Sequence, residues 1–215
     1  MTAGAESAPP RKRRNPKGEA RREHILDVAR TIFSEGGYHS ASIADIAARA
    51  GISQAGLLHH FPSKPEILLA VLNARDLEDN RKADDQPAGV PYLNHYIRVL
   101  DSHASDPALL QLNAMISAEA IPDSHPAHDY MVRLYRERLE GFTAALEGTF
   151  DTDAMPDGVT TTTIARWIMA LSEGLRLQML YEEEPLDRAR ILTEFLQTLS
   201  AFVVDKGPIT PDSDA

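Results

Sequence analysis

Apolar residues recur every three or four positions along most of this chain, the spacing that places them on one face of an α-helix. The alternation with a period of two that marks a half-buried β-strand is not convincing anywhere. Glycines, prolines and short polar stretches interrupt the helical pattern and mark its turns. The pattern therefore predicts an all-α protein with nine helices.

The first predicted helix begins near Arg21 and ends at Gly36-Gly37, because two glycines in succession disfavour further helix. One apolar stripe along it can pack with the two short helices that follow, so that the three bury a common core. The stripe consists of Ile25, Val28, Ala29, Ile32 and Phe33.

The next stretch has the pattern of two short helices joined by a tight turn. Ser42 and Asp45 have capping-box spacing at the start of one helix, and Ser53 is placed to cap the other. Gly51 supplies the turn, since glycine reaches left-handed backbone angles at little cost. Pro62 ends the second helix, because the residue before a proline avoids the helical region. This spacing is typical of a helix-turn-helix, whose second helix can lie in the major groove of DNA.

Ser63 and Glu66 form another capping box, which opens a fourth helix. That helix fades into the polar segment 76–89, which we interpret as its exposed end and a linker. Five further helices are predicted beyond Pro91, and the seventh should close near Phe150. They start around Tyr92, after Asp106, near Tyr130, after Asp157-Gly158 and near Asp187.

The last two helices carry more apolar surface than one core-facing stripe requires. In the eighth, Met169, Leu177 and Leu180 lie off the main row, and that row contains Ile164, Trp167, Ile168, Leu171 and Leu175. Such breadth indicates contacts on two sides, either deep in the domain or at a helical dimer interface. We favour the dimer, because helix-turn-helix proteins commonly read two half-sites about one helical turn apart.

Length and composition limit the rival classes. The 215 residues, 43% of them apolar, suit one compact unit or two small ones. The absence of cysteine excludes disulfides, thiolate zinc sites and a cysteine nucleophile. No apolar run is long enough to span a membrane, and the N-terminus lacks the apolar region of a secretory signal. A cytoplasmic location without membrane attachment is the expectation.

The net charge of -10 is unevenly distributed. Residues 1–75 hold 11 Lys and Arg against 7 Asp and Glu, a net of +4, whereas residues 76–215 hold 11 against 25, a net of -14. Screening over about 8 Å separates the two fields, so the basic front can meet phosphates. We predict a disordered basic tail at 1–18, a DNA-binding domain at 19–80, a helical effector-binding and dimerisation domain at 81–205, and a disordered tail at 206–215.

Residues 20–80 resemble the TetR family of transcriptional regulators. The likeness rests on ordered segments at fixed spacing: FSEGGYHS, then SIADIAARAGIS, then a helix ending in HHFPSK. The rear half is similar only loosely. The resemblance implies an all-helical homodimer with an N-terminal three-helix helix-turn-helix domain for a double-stranded DNA operator. It further implies a larger C-terminal domain that binds a small organic effector, with helices eight and nine pairing the subunits.

The same resemblance implies residue roles at the DNA surface. Ser42 and Lys64 match phosphate-contacting positions, Ser53, Gln54 and Ala55 match the exposed start of the reading helix, and His59 matches a position at the DNA backbone. Leu58 departs from the pattern, because it replaces a tyrosine and cannot donate a hydrogen bond to phosphate.

Three further assignments for the DNA surface rest on side-chain chemistry. The amide of Gln54 can pair with adenine through two hydrogen bonds, the alternative being a solvated helix surface. Gly56 lowers helix propensity by about 1 kcal/mol but leaves room for close approach to DNA. Arg21 and Arg22 are candidates for phosphate contacts, whereas the run 11–14 is more typical of a nonspecific tail.

The candidate effector site is an inward-facing set rich in aromatic residues and methionine, with two charges to orient a ligand. The alternative is plain core. The set comprises Met115, Glu119, Tyr135, Phe142, Trp167, Met169 and Arg176.

No catalytic site, metal or cofactor is expected. Adjacent His59 and His60 point about 100° apart on a helix and cannot easily share an ion. His125 and His128 flank a proline loop with few carboxylates nearby. Nucleophile-elbow, phosphate-loop and zinc-protease motifs are missing, so an enzyme is not expected.

The leading hypothesis is a repressor that leaves a palindromic operator when an effector shifts helix four. A constitutive DNA binder and a protein-interaction module that uses the basic tail are the alternatives.

Overall fold

The computed structural model of the chain describes residues 16–83, 88–103, 106–184, 186–204 and 207–210, with the backbone alone from 75 to 83. Within these ranges the fold is all-α, as predicted, and strand-like pairing is confined to a bridge between Phe150 and Val203. The helices are α1 Pro16–Ser40, α2 Ile43–Arg49, α3 Gln54–His60, α4 Lys64–Ala83, α5 Val90–His103, α6 Pro107–Glu119, α7 His128–Ala145, α8 Thr161–Met179 and α9 Arg188–Thr198.

Three boundaries differ from the prediction. Helix α1 starts at Pro16, so residues 16–18 are helical, while residues 1–15 of the predicted tail lie outside the described ranges. Helix α4 runs to Ala83, past residue 80, where the DNA-binding domain was predicted to end. Helix α7 stops at Ala145, because Gly148 takes a φ of 71° and turns the chain before Phe150.

The predicted caps and turn of the helix-turn-helix are confirmed. Ser42 Oγ accepts a hydrogen bond from the Asp45 backbone N–H at 3.1 Å, and Ser53 Oγ accepts one from Gly56 at the same distance. Gly51 has a φ of 66°, the left-handed conformation expected of the turn. Phe61 is extended at the end of α3, as its position before proline requires.

The front core is larger than the three-helix core that the sequence predicts. Helices α1 to α4 share one continuous apolar cluster with α6 and α7, because α1 packs along α6. Side chains that join the two parts include Phe33, Ile46 and Leu57 from the front and Leu112, Ile116 and Tyr130 from the rear. A second cluster lies among α5, α7, α8 and α9. Helix α1 therefore connects the helix-turn-helix with α6.

None of the described helices has the length and apolar character needed to cross a membrane.

Candidate DNA-binding surface and ligand cavity

The start of α3 forms an exposed surface, because Leu57 is fully buried and fixes the opposite side of this short helix in the core. Ser53, Gln54 and Ala55 are exposed at its N-terminal end, and His59 is exposed one turn further on. Gly56 is half-buried between them. The structure thus brings the predicted base-reading and backbone-contacting residues together on one face.

Leu58 lies beside this face with 41% of its side chain exposed. The replacement of tyrosine by leucine therefore places an apolar group at the surface, and Leu58 contributes no buried packing comparable with that of Leu57.

Arginines from α1 flank the C-terminal end of α3. The Arg22 guanidinium lies over the Phe61 ring, 4.4 Å from its centroid, in a cation–π contact. Arg21 is exposed beside it. Both side chains are exposed, and their contact with phosphate stays a prediction.

The two remaining predicted phosphate contacts already have intramolecular partners. Ser42 donates its hydroxyl to the Asp45 carboxylate at 2.5 Å while it caps α2. Lys64 Nζ donates to the Tyr38 and Ala41 carbonyl oxygens at 2.9 and 2.8 Å and lies 4.2 Å from the Tyr38 ring centroid. Lys64 therefore ties the start of α4 to the end of α1, with one ammonium proton remaining for a phosphate.

The junction between α1 and α6 contains two residues that the sequence assigned to the effector site. Glu119 Oε2 accepts a hydrogen bond from the Tyr38 backbone N–H at 2.8 Å, and Met115 packs against Gly37. Gly37 has a φ of 76°, which breaks α1 where predicted and allows this close approach. Both residues hold the DNA-binding helices on the rear domain, so their assignment to the ligand cavity described below is not supported.

A buried histidine belongs to the same junction. His125 is 5% exposed, and its ring centroid lies 5.0 Å from that of Tyr38 and 5.5 Å from that of His39. Its Nδ1 accepts a hydrogen bond from the Ala127 N–H at 3.2 Å. Burial lowers the pKa of His125; nearby Glu119 opposes this shift, and the charges of His39 and Lys64 add to it.

We expect the free energy of unfolding to fall as pH drops below about 6.5, the ordinary pKa of histidine. The unfolded chain binds a proton at His125 more readily than the folded chain does, so acidification favours unfolding. Urea denaturation at pH 7.5, 6.5 and 5.5 measures the effect, and His125→Gln should show the shallower decline. If the free energy of unfolding fell equally with pH in the wild type and in His125→Gln, the effect would not come from His125.

The candidate ligand cavity lies among α4, α6, α7 and α8. Its volume is about 20 Å³, enough for about one water molecule. Tyr135 and Arg176 are the predicted effector residues that line it. The full lining is Leu72, Asn113, Ile116, Ser117, Tyr130, Met131, Leu134, Tyr135, Arg138, Glu173 and Arg176.

The other predicted effector residues lie elsewhere. The Phe142 ring is buried against Tyr92 and Tyr96, with centroid separations of 5.5 and 4.7 Å. Met169 packs on the second core cluster, and Trp167 is 38% exposed on α8. Helical periodicity predicts that these residues face inward. The packing of neighbouring helices decides whether each one lines the cavity or packs elsewhere.

Comparison with known proteins identifies the front domain. Residues 25–71, which run from α1 into α4 and contain the whole helix-turn-helix, match the family model described as bacterial regulatory proteins, tetR family. The chain belongs to the TetR family of transcriptional regulators.

Individual relatives agree with this membership. The chain is 31% identical over 124 residues to the transcriptional repressor KstR2 of Rhodococcus jostii, a match covering 58% of this chain and 52% of KstR2. It is 24% identical over 193 residues to the transcriptional regulator EthR of Mycolicibacterium smegmatis, covering 86% and 87% of the two chains. The match with KstR2 thus spans about half of that protein.

The fold of this TetR-family regulator also matches solved structures. The structure described as the SmeT-Triclosan complex superposes with a TM-score of 0.74 at 24% identity, covering 91% of this chain and 99% of that one. The likeness extends through the rear helices, where the family model has no match. The predicted all-α architecture, with a larger C-terminal helical domain, is thereby confirmed.

The exposed side of α8 in this TetR-family protein carries large apolar residues. Leu177 is 50% exposed, and Trp167, which the sequence placed in the row with Ile164 and Ile168, is instead at the surface. The buried stripe of α8 is centred on the side of Ile164, Ala165 and Ile168, so Trp167 falls on its flank. Tyr181 adds a third exposed large hydrophobic residue just beyond the helix.

Sequence reasoning missed the polar links across the α1–α6 junction of this TetR-family chain. Arg30 of α1 forms an ion pair with Asp106, whose carboxylate also caps α6. No local pattern identifies such pairs, because their partners are far apart in sequence. Within the described residues, no cluster of three His, Asp or Glu side chains is suited to a metal ion.

Proposed function

We propose that this regulator is a homodimeric repressor that binds a palindromic DNA operator through α3 and is released by a small organic effector. The exposed N-terminal end of α3, with Gln54 at the surface, is the observation that carries the DNA-reading role. The relatives' names include repressors, and KstR2 is one of them. Action on DNA is consistent with a cytoplasmic location.

The reading geometry follows from the local charge and exposure. Residues 1–75 carry a net charge of +4, so the front part of the sequence, which contains α3, attracts phosphates. Arg22 and Lys64 then position the helix on the backbone, and Gln54 contacts a base edge.

Dimerisation through α8 and α9 is supported by the exposed apolar face of α8. Leu177 and Trp167 present large apolar groups to water, and burying them against a second copy is favourable. A two-fold pair places two copies of α3 at a fixed separation, which matches two half-sites in successive major grooves.

Two contacts in the structure connect the helices around the cavity with the DNA-binding helices, and we propose that both carry the coupling. Leu72 of α4 lines the cavity, and the Tyr130 hydroxyl donates to the Leu72 carbonyl oxygen at 3.3 Å. The hydrogen bond between Glu119 and the Tyr38 backbone gives α6 a second connection to the DNA-binding helices. The sequence-based hypothesis assigned the coupling to α4 alone, and the packing of α1 along α6 adds this second path.

The small cavity suits a release mechanism. Ligand pockets for drug-sized molecules measure about 300–1,000 Å³, so an effector fits only after the surrounding helices separate. The effector therefore binds an opened arrangement better than the closed one, which is the differential affinity that release requires. SmeT, with the same fold, was solved with triclosan.

Selection of bound duplexes from a random pool with the full-length protein tests the proposal. A two-fold symmetric motif is the expected result. Recovery without any motif would favour nonspecific binding by the basic tail, and equal operator affinity at every effector concentration would favour a constitutive DNA binder.

The substitution Gln54→Ala should relax specificity without unfolding the protein. Loss of a two-bond contact with a base costs about 1–3 kcal/mol of discrimination in each half-site. Repeating the selection with the variant should show lost preference at one symmetric pair of positions. Gln111→Ala, at an exposed site on α6, provides the control and should leave the motif unchanged. An identical motif for the Gln54 variant would remove Gln54 as a base reader.

A further inference from the structure

One face of α3 is exposed across both of its turns. Gln54, Ala55, Leu58 and His59 are exposed, whereas Leu57 is fully buried. Successive residues of an α-helix are about 100° apart, so the four exposed side chains fall within an arc of about 140°. Leu58 and Ala55, three residues apart, are neighbours in the middle of that arc. The face that meets DNA in the proposed function therefore has an apolar centre.

Leu58 has no hydrogen-bonding group to offer a nucleic acid. Its side chain is 41% exposed. A phosphate oxygen or the polar edge of a base placed against it would lose water without gaining a hydrogen bond, which is unfavourable. Among the groups that base pairs display in the major groove, the C5-methyl group of thymine is the apolar one. Contact with that methyl group removes apolar surface of both partners from water and is favourable.

The position of Leu58 relative to Gln54 determines which base pairs are within its reach. Four residues of helix rise about 6 Å and turn about 40° beyond one full turn, so the two residues lie on nearly the same side of α3. Successive base pairs rise about 3.4 Å, and 6 Å is therefore about two base-pair steps. If Gln54 contacts an adenine, Leu58 meets a base no more than about three base pairs away in the same groove.

We propose that Leu58 is a specificity-determining residue that contacts the C5-methyl group of a thymine in each half-site. The inference deepens the proposed function and rests on it, since it takes α3 as the DNA-reading helix. The family usually has tyrosine at this position. Leucine here exchanges a phosphate contact, which positions the helix, for a base contact, which selects sequence.

Replacement of thymine by deoxyuridine tests the contact, because uracil lacks only the C5-methyl group. The full-length protein is titrated with fluorescent duplexes of the selected operator in which each symmetric pair of thymines is replaced in turn. Loss of one buried methyl group corresponds to about 4-fold weaker binding for one half-site and about 15-fold for both. One symmetric pair, within about three base pairs of the position read by Gln54, should show this loss.

Variants of Leu58 assign the methyl contact to this side chain. Leu58→Ala should bind the thymine and uracil operators with nearly equal affinity. Leu58→Met, which keeps an apolar side chain of similar volume, should retain most of the difference. Ile121→Ala removes apolar surface at a position between α6 and α7 that is 73% exposed, and it should leave the full difference.

Changing the protein and the DNA in one cycle separates the contact from any effect of uracil on the duplex itself. Circular dichroism checks that each variant folds, and the methionine variant decides the question if the alanine variant does not.

Four results would overturn the inference. They are a selected operator without thymine in the stated window, uracil duplexes that bind as tightly as thymine duplexes, an equal loss of affinity for both duplexes in Leu58→Ala, and a uracil effect that persists in that variant. The third would show that Leu58 acts on the DNA backbone or on folding, and the fourth that another side chain contacts the methyl group. Failure of the proposed function has a different signature, because selection then yields no two-fold symmetric motif.

Discussion

Leu177→Arg is expected to convert the protein into a monomer and to weaken operator binding by about 10²–10⁴-fold. Two linked reading helices bind their half-sites with a high effective concentration, and separating the subunits removes that advantage. A charge at the centre of an apolar interface leaves an unpaired ion when the interface closes, which opposes pairing. Sedimentation equilibrium and a fluorescence titration with the selected operator measure the two effects.

The substitution should leave the subunit itself intact. Leu177 is 50% exposed, and surface substitutions away from buried features usually change stability by less than about 0.5 kcal/mol. Val132→Arg, at a position on α7 that is 44% exposed, introduces the same charge at a matched apolar site outside the proposed interface. The proposed interface is refuted if the Leu177 variant remains dimeric, or if the Val132 variant dissociates equally.

Gly37→Ala should lower the free energy of unfolding by about 3 kcal/mol. Gly37 has a φ of 76° and a ψ of 178°, a region that glycine alone adopts readily and that costs another residue about 1–3 kcal/mol. The new Cβ would lie 2.3 Å from Glu119 Oε1, so the carboxylate must move away from the Tyr38 N–H. Loss of that charge-assisted hydrogen bond adds about 1.5–3 kcal/mol. Urea denaturation at neutral pH measures the sum.

A second glycine provides a control with the opposite sign. Gly141 lies in the exposed part of α7, and a Cβ there meets nothing within 4 Å. Gly141→Ala should therefore stabilise the protein by about 0.5–1 kcal/mol through helix propensity. Equal stability of the Gly37 variant and the wild type would show that neither the backbone conformation nor the Glu119 contact matters to folding.

Local features of this chain were predictable because their physics is local. The caps at Ser42 and Ser53, the turn at Gly51 and the break at Gly37 each depend on residues within a few positions of one another. The exposure of Gln54 follows from the same short-range pattern, since Leu57 had to face the core. The family resemblance rested on these same segments, and comparison confirmed it.

The candidate ligand site was predicted less well. Tyr135 and Arg176 line the cavity, but Glu119 hydrogen-bonds to the end of α1 and Phe142 packs under α5. An apolar stripe shows that a helix is buried, yet several neighbouring helices can cover the same stripe.

The sequence by itself determined the helices, their order, the helix-turn-helix and the basic front, because capping, turns and charge are short-range properties. Only the tertiary structure decided that α1 packs along α6, that Lys64 and Glu119 both hold the end of α1, and that Tyr135 and Arg176 line one cavity. These contacts join residues far apart in the chain, and their formation depends on the packing of whole helices rather than on any local pattern.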